Sequence, residues 1–497
     1  MDERIRAMEK IFSPRSVAFV GASNNLGKWG GIIFRNLLDG GYEGEIYPVN
    51  PKEETVQGLK AFRAVAEISG DIDLAIFTIP SAAVPAAIKE CVRKKVPAGI
   101  VITAGFAELG GDGAREQEEM VRLARSGGMV LVGPNGQGIS SPRAKLHPWM
   151  PVLKPEPGVI AVASQSGNVS TVVAEELADF GFGCSKAVSA GNCADLSWPD
   201  YLEYFRQDPE TRVIVLYVEG VGDGPAFFKA AKAAALEKPV VIIKSGRTQA
   251  GAVAAASHTG VLAGSDQVFS AACRQAGLIR AETIEDAVIM AASFVKTPLP
   301  AGRKVGVITG GGGFGVIAAD ACLRLGLDVV KLSDETIGKL KAHLPPWWSP
   351  NNPVDMVAGI GYGGPRELIP ILMDSGEVDG VILLGIGWIY SMLDSVTSKI
   401  DFRNPEDKTL LARLDHDLKY NEMLRDYFFQ FKKPLLMTST MARLAVRRGY
   451  PGLLKLVNDG IMLYPTIEDS IRAFGALAER GRFLQQEKNL QCSTHED

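Results

Sequence analysis

His258 lies near the centre of the segment GAVAAASHTGVLAGSD, residues 251–266, which consists almost wholly of small residues. A neutral imidazole is nucleophilic at physiological pH and can carry a phosphoryl group between two ligands. A segment of small residues could be a thin helix packed tightly against a neighbour, or equally a mobile loop that presents the imidazole to a reaction. The alternative for His258 is a structural histidine bonded to backbone. The other four histidines, which lack such a setting, are His147, His343, His416 and His495.

A phosphoryl-carrying imidazole needs a carboxylate on its second ring nitrogen, which fixes the tautomer and stabilises the charged adduct. Glu219 is the candidate because it follows the apolar run VLYV and therefore ends a buried strand. Strand ends form the sheet edge at which α/β proteins bind their ligands. The alternative for Glu219 is a loop carboxylate paired with a nearby Lys or Arg.

Three Gly- or Ser-rich turns each separate an apolar run from a helical stretch: GASNNLG at 21–27, SQSGN at 164–168 and TGGGGFG at 309–315. A helix that begins at such a turn offers unpaired backbone N–H groups and the positive end of its dipole to an anion. The first turn suits a nucleotide-like phosphate group, and the two barer turns suit a free phosphoryl group. The alternative for each is a tight turn that needs glycine only for its backbone.

The sequence VNPK places Asn50, Pro51 and Lys52 where the second strand ends. A dinucleotide site usually has Asp or Glu near this point to bind a ribose, so NAD and a nicotinamide dehydrogenase are disfavoured. A cationic contact to a phosphorylated ligand is expected instead. The alternative for Lys52 is a solvated surface residue.

The strand–turn–helix order occurs at 16–41, 158–183 and 304–329, and further Val/Ile/Leu-rich runs follow each unit. Continuous apolar runs that alternate with helical stretches predict parallel sheets covered on both faces. Pro-rich joins near 141–157 and 296–303 separate the sheets. We therefore predict three α/β domains, at 1–145, 146–298 and 299–481, followed by a polar, frayed tail at 482–497.

Composition argues against several classes of protein. A net charge of −4 makes nucleic acid and anionic membranes poor partners. No apolar run approaches the roughly 20 residues that span a bilayer, and the charged start lacks an export signal. Six cysteines are scattered singly, which predicts buried thiols in a reducing cytoplasm and neither disulfides nor a metal site.

The segments SHTGVLAGSD, VASQSGN, YVEGV, SAGNCAD and GFAELGG…VGPNGQGI together resemble the ADP-forming acyl-CoA synthetases, relatives of succinyl-CoA synthetase. The similarity runs from about residue 8 to about residue 480. It implies a Rossmann-like CoA-binding domain followed by two flavodoxin-like domains. It also implies reversible conversion of acyl-CoA, ADP and phosphate to a carboxylic acid, CoA and ATP, through an acyl phosphate and a phosphohistidine.

The resemblance makes His258 the phosphorylated residue and Glu219 its orienting carboxylate. It assigns phosphate binding to Ser164, Ser166, Gly167, Gly311, Gly312 and Gly313. It assigns CoA binding to Gly21, Ser23, Gly27, Asn50, Pro51, Lys52, Ile79 and Pro80. Asn135, Asn192 and Asp195 match further family positions and are expected to support the active site.

Two departures from the family pattern qualify the resemblance. Gly136 and Gln137 stand where the family commonly has Cys-Leu. No segment resembles the ATP-grasp module that holds the nucleotide, so the chain resembles the α subunit of the split form. A separate ATP-grasp β subunit is expected to bind ADP or ATP with Mg²⁺, which makes the assembly a hetero-oligomer. The alternative function is a non-catalytic regulatory protein that binds CoA or acyl-CoA on the same fold.

Overall fold

The computed structural model describes residues 3–251, 265–357, 365–391 and 408–493. His258 lies outside the described residues. Within them, three predominantly parallel sheets and one small antiparallel ribbon are formed. The chain divides into two compact units, residues 1–175 with 183–287 and residues 176–182 with 288–497. The predicted α/β fold with parallel sheets is confirmed.

The first sheet is wholly parallel. In spatial order its strands are β2 (Glu45–Val49), β1 (Ser16–Val20), β5 (Leu74–Phe77), β6 (Ala98–Val101) and β7 (Val130–Val132). The chain leaves β1 in one direction to form β2 and returns on the other side to form β5. The carboxyl ends of β1 and β5 therefore border a crevice at the point where the strand order reverses.

Four helices accompany this sheet: α1 (Glu3–Phe12), α2 (Trp29–Asp39), α3 (Val84–Arg93) and α4 (Gly111–Ser126). The short strands β3 (Thr55–Val56) and β4 (Leu59–Lys60) form the antiparallel ribbon. Single 3₁₀ turns occur at Val65–Glu67, Ser81–Ala83, Ala107–Leu109 and Pro142–Ala144. β1, β5 and β6 are buried along their whole length, which explains why they read as continuous apolar runs.

The second sheet belongs to the same compact unit. In spatial order its strands are β13 (Ile279–Ala281), β12 (Val240–Lys244), β11 (Val213–Val218), β9 (Pro157–Ser164), β10 (Cys184–Ser189) and β8 (Gly138–Ser140). The order reverses between β9 and β11. β8 pairs antiparallel with β10, so a strand from before residue 145 completes the second sheet. Its helices are α5 (Gly167–Asp179), α6 (Trp198–Gln207), α7 (Gly224–Glu237), α8 (Asp266–Ala276) and α9 (Ile284–Ser293).

The third sheet lies in the second unit. In spatial order its strands are β15 (Asp328–Val329), β14 (Lys304–Thr309), β17 (Gly380–Leu384), β18 (Leu435–Thr438) and β19 (Leu463–Tyr464), and β16 (Val354–Asp355) pairs with β14. Its helices are α10 (Gly312–Arg324), α11 (Asp334–Lys341), α12 (Pro365–Asp374), α13 (Lys408–Gln430), α14 (Ala442–Arg448), α15 (Pro451–Asn458) and α16 (Ile467–Ser493). The predicted frayed tail is wrong as far as Ser493, because α16 continues through it.

Two further properties concern the described residues as a whole. Their helices are too short or too polar to cross a bilayer. No group of three His, Cys, Asp or Glu side chains in this part of the chain is placed to hold a metal ion.

Candidate active site

A cleft of about 540 Å³ lies in the first unit, where loops from the carboxyl ends of the first and second sheets meet. It brings together seven of the residues predicted from the sequence: Ile79, Pro80, Asn135, Ser166, Gly167, Asn192 and Glu219. Residues assigned separately to CoA, to phosphate and to the histidine's carboxylate therefore share one cavity. Trp29, Gln137, Met150, Gln165 and Asn168 also line it, and the sequence did not single them out as cleft residues.

Glu219 enters the cleft directly after β11, and its backbone is bonded on both sides. Its N–H donates a hydrogen bond of 2.6 Å to Oε1 of Gln165. Its carbonyl accepts one of 2.8 Å from Nζ of Lys244. Gln165 follows β9 and Lys244 ends β12, which are the two neighbours of β11 in the sheet. Both neighbouring strands thus contribute to the position of Glu219.

The turn after β9 leads into α5, whose first N–H groups have no partner within the helix and carry its positive dipole end. Ser166 and Gly167, at this helix start, line the cleft. Ser164 is fully buried, and its hydroxyl donates 2.6 Å to the carbonyl of Ser166. Ser164 therefore stabilises the turn from its buried side, whereas Ser166 and Gly167 lie on the side that faces the cleft.

Gln137 covers the start of α5. Its side-chain Nε2 donates 2.8 Å to Oδ1 of Asn168, and a Cβ added to Gly167 would lie 2.2 Å from Cγ of Gln137. The sequence showed Gln137 only as a departure from the family pattern. No spacing rule could have found the contact, since 30 residues separate Gln137 from Gly167 and only the fold brings them together.

Asn135 and Asn192 form one wall of the cleft. Asn135 has left-handed backbone with φ of 61° and follows a cis Gly133–Pro134 bond. Its side-chain amide donates to Oδ1 of Asn192 at 3.3 Å. The amide of Asn192 in turn donates to the side chains of Glu108 and Gln117.

Asp195 does not reach the cleft, although it was expected to support the active site. Its buried carboxylate accepts from Nη2 of Arg4 at 3.2 Å and from Nε of Arg125 at 2.7 Å. The backbone N–H of Leu131 donates 2.7 Å to its second oxygen. These bonds connect the loop of Asp195 to α1, α4 and β7. Asp195 therefore stabilises the packing of these elements and does not line the cleft.

The turn after β1 has a backbone that only glycine adopts without strain. Gly21 has φ of +98°, and a Cβ there would lie 2.7 Å from Oγ1 of Thr78. Ser23 Oγ accepts the N–H of Asn25 at 3.1 Å, and Asn25 Oδ1 accepts the N–H of Gly27 at 2.8 Å. The turn extends to residue 28, so α2 begins at Trp29 and the GASNNLG motif precedes the helix.

Asn50 connects the end of β2 to this turn. Its Nδ2 donates 2.8 Å to the carbonyl of Ala22, and its Oδ1 accepts the N–H of Lys52 at 2.9 Å. Pro51 and Lys52 are exposed beside the turn. A glycine turn without a side chain and an adjacent exposed cation suit the phosphate groups of a nucleotide-like ligand.

The Gly311–Gly313 turn lies in the second unit, between β14 and α10. Gly311 is the N-cap of α10, and the hydroxyl of Thr309 donates 2.9 Å to its carbonyl. Gly312 and Gly313 are exposed, and a Cβ at Gly313 would meet nothing within 4 Å. The backbone at Gly313 is therefore uncovered, whereas Oδ2 of Asp355 lies 2.9 Å from the position of a Cβ at Gly312, and phosphate binding at this turn stays a prediction.

Three family models match consecutive parts of the chain: a CoA-binding domain at residues 15–142, a succinyl-CoA-ligase-like flavodoxin domain at 157–294 and a ligase-CoA domain at 305–446. The α subunit of the ADP-forming acetate–CoA ligase I of Pyrococcus furiosus is 37% identical over 97% of this chain and 99% of its own length. The α subunit of ligase II from the same organism is 39% identical over 76% of this chain and 82% of its own.

A solved structure has the same architecture. The dinucleotide-forming acetyl-coenzyme A synthetase 1 of Ca. Korarchaeum cryptofilum, in complex with phosphate and ADP, matches with a TM-score of 0.82 at 30% identity. The match covers 97% of this chain and 98% of that chain. The likeness therefore extends over all three sheets.

Proposed function

Because this chain belongs to the family of ADP-forming acyl-CoA synthetases, among their α subunits, we propose that it interconverts acyl-CoA, ADP and phosphate with a carboxylic acid, CoA and ATP. One observation carries the proposal. Ile79 and Pro80, on the CoA side, line the same cleft as the helix start at Ser166 and Gly167 and as Glu219. Residues that we assign to CoA, to phosphate and to the support of His258 therefore line one cleft, which supports the proposal.

The first step is attack of phosphate on the thioester. CoA lies along the Gly21 turn with Lys52 beside its phosphate groups, and its acyl end reaches the cleft at Ile79 and Pro80. Phosphate binds the N–H groups at the start of α5, whose dipole offsets its charge. A phosphate oxygen bonds to the acyl carbon as the C–S bond breaks. CoA leaves as the thiol with the proton that phosphate gives up, and acyl phosphate remains.

The second step forms the phosphohistidine. An imidazole nitrogen of His258 bonds to phosphorus as the bond from phosphorus to the acyl oxygen breaks, which releases the carboxylate. Glu219 holds the second ring nitrogen and balances the positive charge of the phosphorylated ring. The helix start contributes electrostatic stabilisation of the transferring group, the main source of catalysis in phosphoryl transfer.

The last step transfers the phosphoryl group to ADP on a separate partner subunit. We assign ADP and Mg²⁺ to an ATP-grasp β subunit. The small residues on either side of His258 allow the segment to carry the imidazole between the two sites. We also assign phosphate binding to the helix start at Gly311, Gly312 and Gly313 of the second unit, where Gly312 and Gly313 are exposed.

Labelling tests the proposal. The full chain, co-purified with its partner subunit, is incubated with radioactive inorganic phosphate and acetyl-CoA, and protein-bound label is measured. Wild type and the control His343→Ala, an exposed histidine, should take up acid-labile label, and His258→Ala should take up none. Label retained by His258→Ala would overturn the proposal. A wild-type chain that binds CoA yet takes up no label would instead support the regulatory alternative.

A further inference from the structure

Resting on the proposed function, we propose that Gln165 and Lys244 are positioning residues that hold the backbone of Glu219 from both sides, and that the rate of phosphohistidine formation depends on this fixation. Neither residue was singled out by the sequence. Each acts through Glu219 and requires no contact with substrate.

Gln165 joins the phosphate-binding turn to the Glu219 loop. Its own N–H donates 3.2 Å to the carbonyl of Tyr217, which extends the pairing of β9 with β11 by one residue. Its side-chain Oε1 then accepts two backbone N–H groups, from Glu219 at 2.6 Å and from Gly220 at 3.1 Å. Gln165 also directly precedes Ser166. One residue therefore links the start of α5 to the backbone of Glu219.

Lys244 binds the carbonyl of the Glu219–Gly220 peptide, whose N–H is bound by Gln165. Only 7% of it is exposed, and its ammonium donates to the carbonyls of Glu219, at 2.8 Å, and of Ser245. The ring of Phe269 lies 6.0 Å from its Nζ. A buried ammonium is tolerated only when its hydrogens are satisfied, and burial lowers the pKa of Lys244. The ammonium group of Lys244 therefore serves to bind the backbone carbonyls of Glu219 and Ser245.

The two contacts act on the first residue beyond the strand. Val218 ends β11, so Glu219 lies outside the regular ladder that fixes the strand. With its N–H and its carbonyl both bonded to side chains, the backbone of Glu219 keeps a defined orientation. Misplacement of a catalytic group by about 1 Å costs on the order of 100-fold in rate, so such fixation has a measurable effect.

The test replaces each contact with a side chain of similar size that cannot make it, in Gln165→Met and Lys244→Met. Formation of phosphohistidine from acetyl-CoA and phosphate should slow by about 10- to 100-fold, while CoA affinity changes less than about twofold. Lys238→Met is the matched control. Lys238 caps the end of α7, two residues before β12, and donates to the carbonyls of Phe205 and Asp208, both at 2.6 Å. It should lower the unfolding midpoint without slowing labelling.

Gln165→Glu separates a positioning role from a general structural one. A carboxylate oxygen still accepts both N–H groups, so the maximal rate of labelling should stay within a few fold of wild type. Its negative charge beside the helix start should raise the KM for phosphate. A maximal rate as low as that of Gln165→Met would overturn the inference, because the acceptor oxygen would then not be what matters.

A double-mutant comparison decides whether the residues act through Glu219. In a Glu219→Gln background, Gln165→Met and Lys244→Met should add little further loss, whereas independent effects would multiply and overturn the inference. If Glu219→Gln labels as wild type does, the role of Glu219 in the proposed function fails. If Glu219→Gln is slow but Gln165→Met and Lys244→Met are not, only the positioning role fails.

Discussion

The side-chain amide of Asn192 donates a hydrogen bond of 2.7 Å to the carboxylate of Glu108, although 84 residues separate them in sequence. Asn192 follows β10 of the second sheet, and Glu108 lies in a 3₁₀ turn that follows β6 of the first. The other oxygen of Glu108 accepts the N–H groups of Gly105 and Phe106. The wall of the cleft is therefore a joint between two sheets, and it depends on Glu108 being ionised.

Glu108→Gln should remove the pH dependence that the contact between Asn192 and Glu108 gives to the free energy of unfolding. Burial of Glu108 disfavours its charge, but the bonds from Asn192 and from the backbone at Gly105 hold its pKa below the ordinary value. A depressed pKa stabilises the fold above the unfolded-state pKa and ceases to do so as pH falls through the folded-state value. The stability advantage of wild type, about 1 kcal/mol for a partly buried group, should shrink between roughly pH 5 and pH 3. Urea unfolding across that range measures it, and a constant difference would contradict the prediction.

Gly30→Ala should destabilise the chain and weaken CoA binding together. A Cβ at Gly30 would lie 2.1 Å from the carbonyl oxygen of Gly21, so α2 or the proposed CoA turn must shift. Overpacking of this kind costs about 1 to 3 kcal/mol. The control is Gly224→Ala at the start of α7, where an added Cβ meets nothing within 4 Å. Thermal unfolding and calorimetric CoA titration test both variants, and equal behaviour of the two would refute the steric argument.

Gly167→Ala should raise the KM for phosphate about tenfold, the equivalent of roughly 1.4 kcal/mol. The new methyl group would lie 2.2 Å from Cγ of Gln137, so the start of α5 must shift and its N–H groups would no longer be placed for phosphate. Shortening the opposing side chain should relieve the clash, so the double variant with Gln137→Ala should regain most of the affinity. Labelling at increasing phosphate concentrations measures this. An unchanged defect in the double variant would show that the contact with Gln137 is not the cause.

Asp417→Asn should stabilise the second unit at neutral pH. Asp417 is 1% exposed and accepts 2.6 Å from the hydroxyl of Tyr390, and burial raises its pKa to about 6. Between roughly pH 4 and pH 6 the folded state retains a proton that the unfolded state has lost, so wild type loses about 2 to 3 kcal/mol as pH rises.

The measurement for Asp417→Asn is the urea unfolding midpoint from pH 4 to pH 7, with the exposed Asp415→Asn as the matched control. The advantage of Asp417→Asn over wild type should grow through this window. Parallel curves for the two proteins would mean that Asp417 does not retain its proton in the folded state.

The sequence predicts those features that depend on local pattern. Continuous apolar runs locate β5 and β11 because buried parallel strands have no polar face. Glu219 could be placed at a site because parallel strands present their carboxyl ends at one sheet edge. The glycine turn after β1 was also predictable, but its length was not. Hydrogen bonds within residues 23–27 extend the turn and delay α2 to Trp29.

Features that depend on tertiary pairing could not be predicted. Asn192 and Asp195 lie three residues apart in one loop and carry the same polar signal, yet Asn192 faces the cleft and Asp195 faces Arg4 and Arg125. Which of the two residues lines the cleft depends on the positions of Arg4 and Arg125 in the folded chain. Gln165 has the same difficulty, since its bond to Glu219 spans 54 residues and requires the register of β9 with β11.

The three residues of β8 restrict where the chain can be divided into separate pieces. They hydrogen-bond to Ala187, Val188 and Ser189, and so shield a strand that would otherwise form the rim of its sheet. Deletion of everything up to about residue 145 would remove β8 and leave that edge of β10 unpaired. The unpaired N–H and carbonyl groups of β10 could then hydrogen-bond to strands of other chains. The second sheet should therefore be less stable in a fragment that begins after residue 145 than in the full chain.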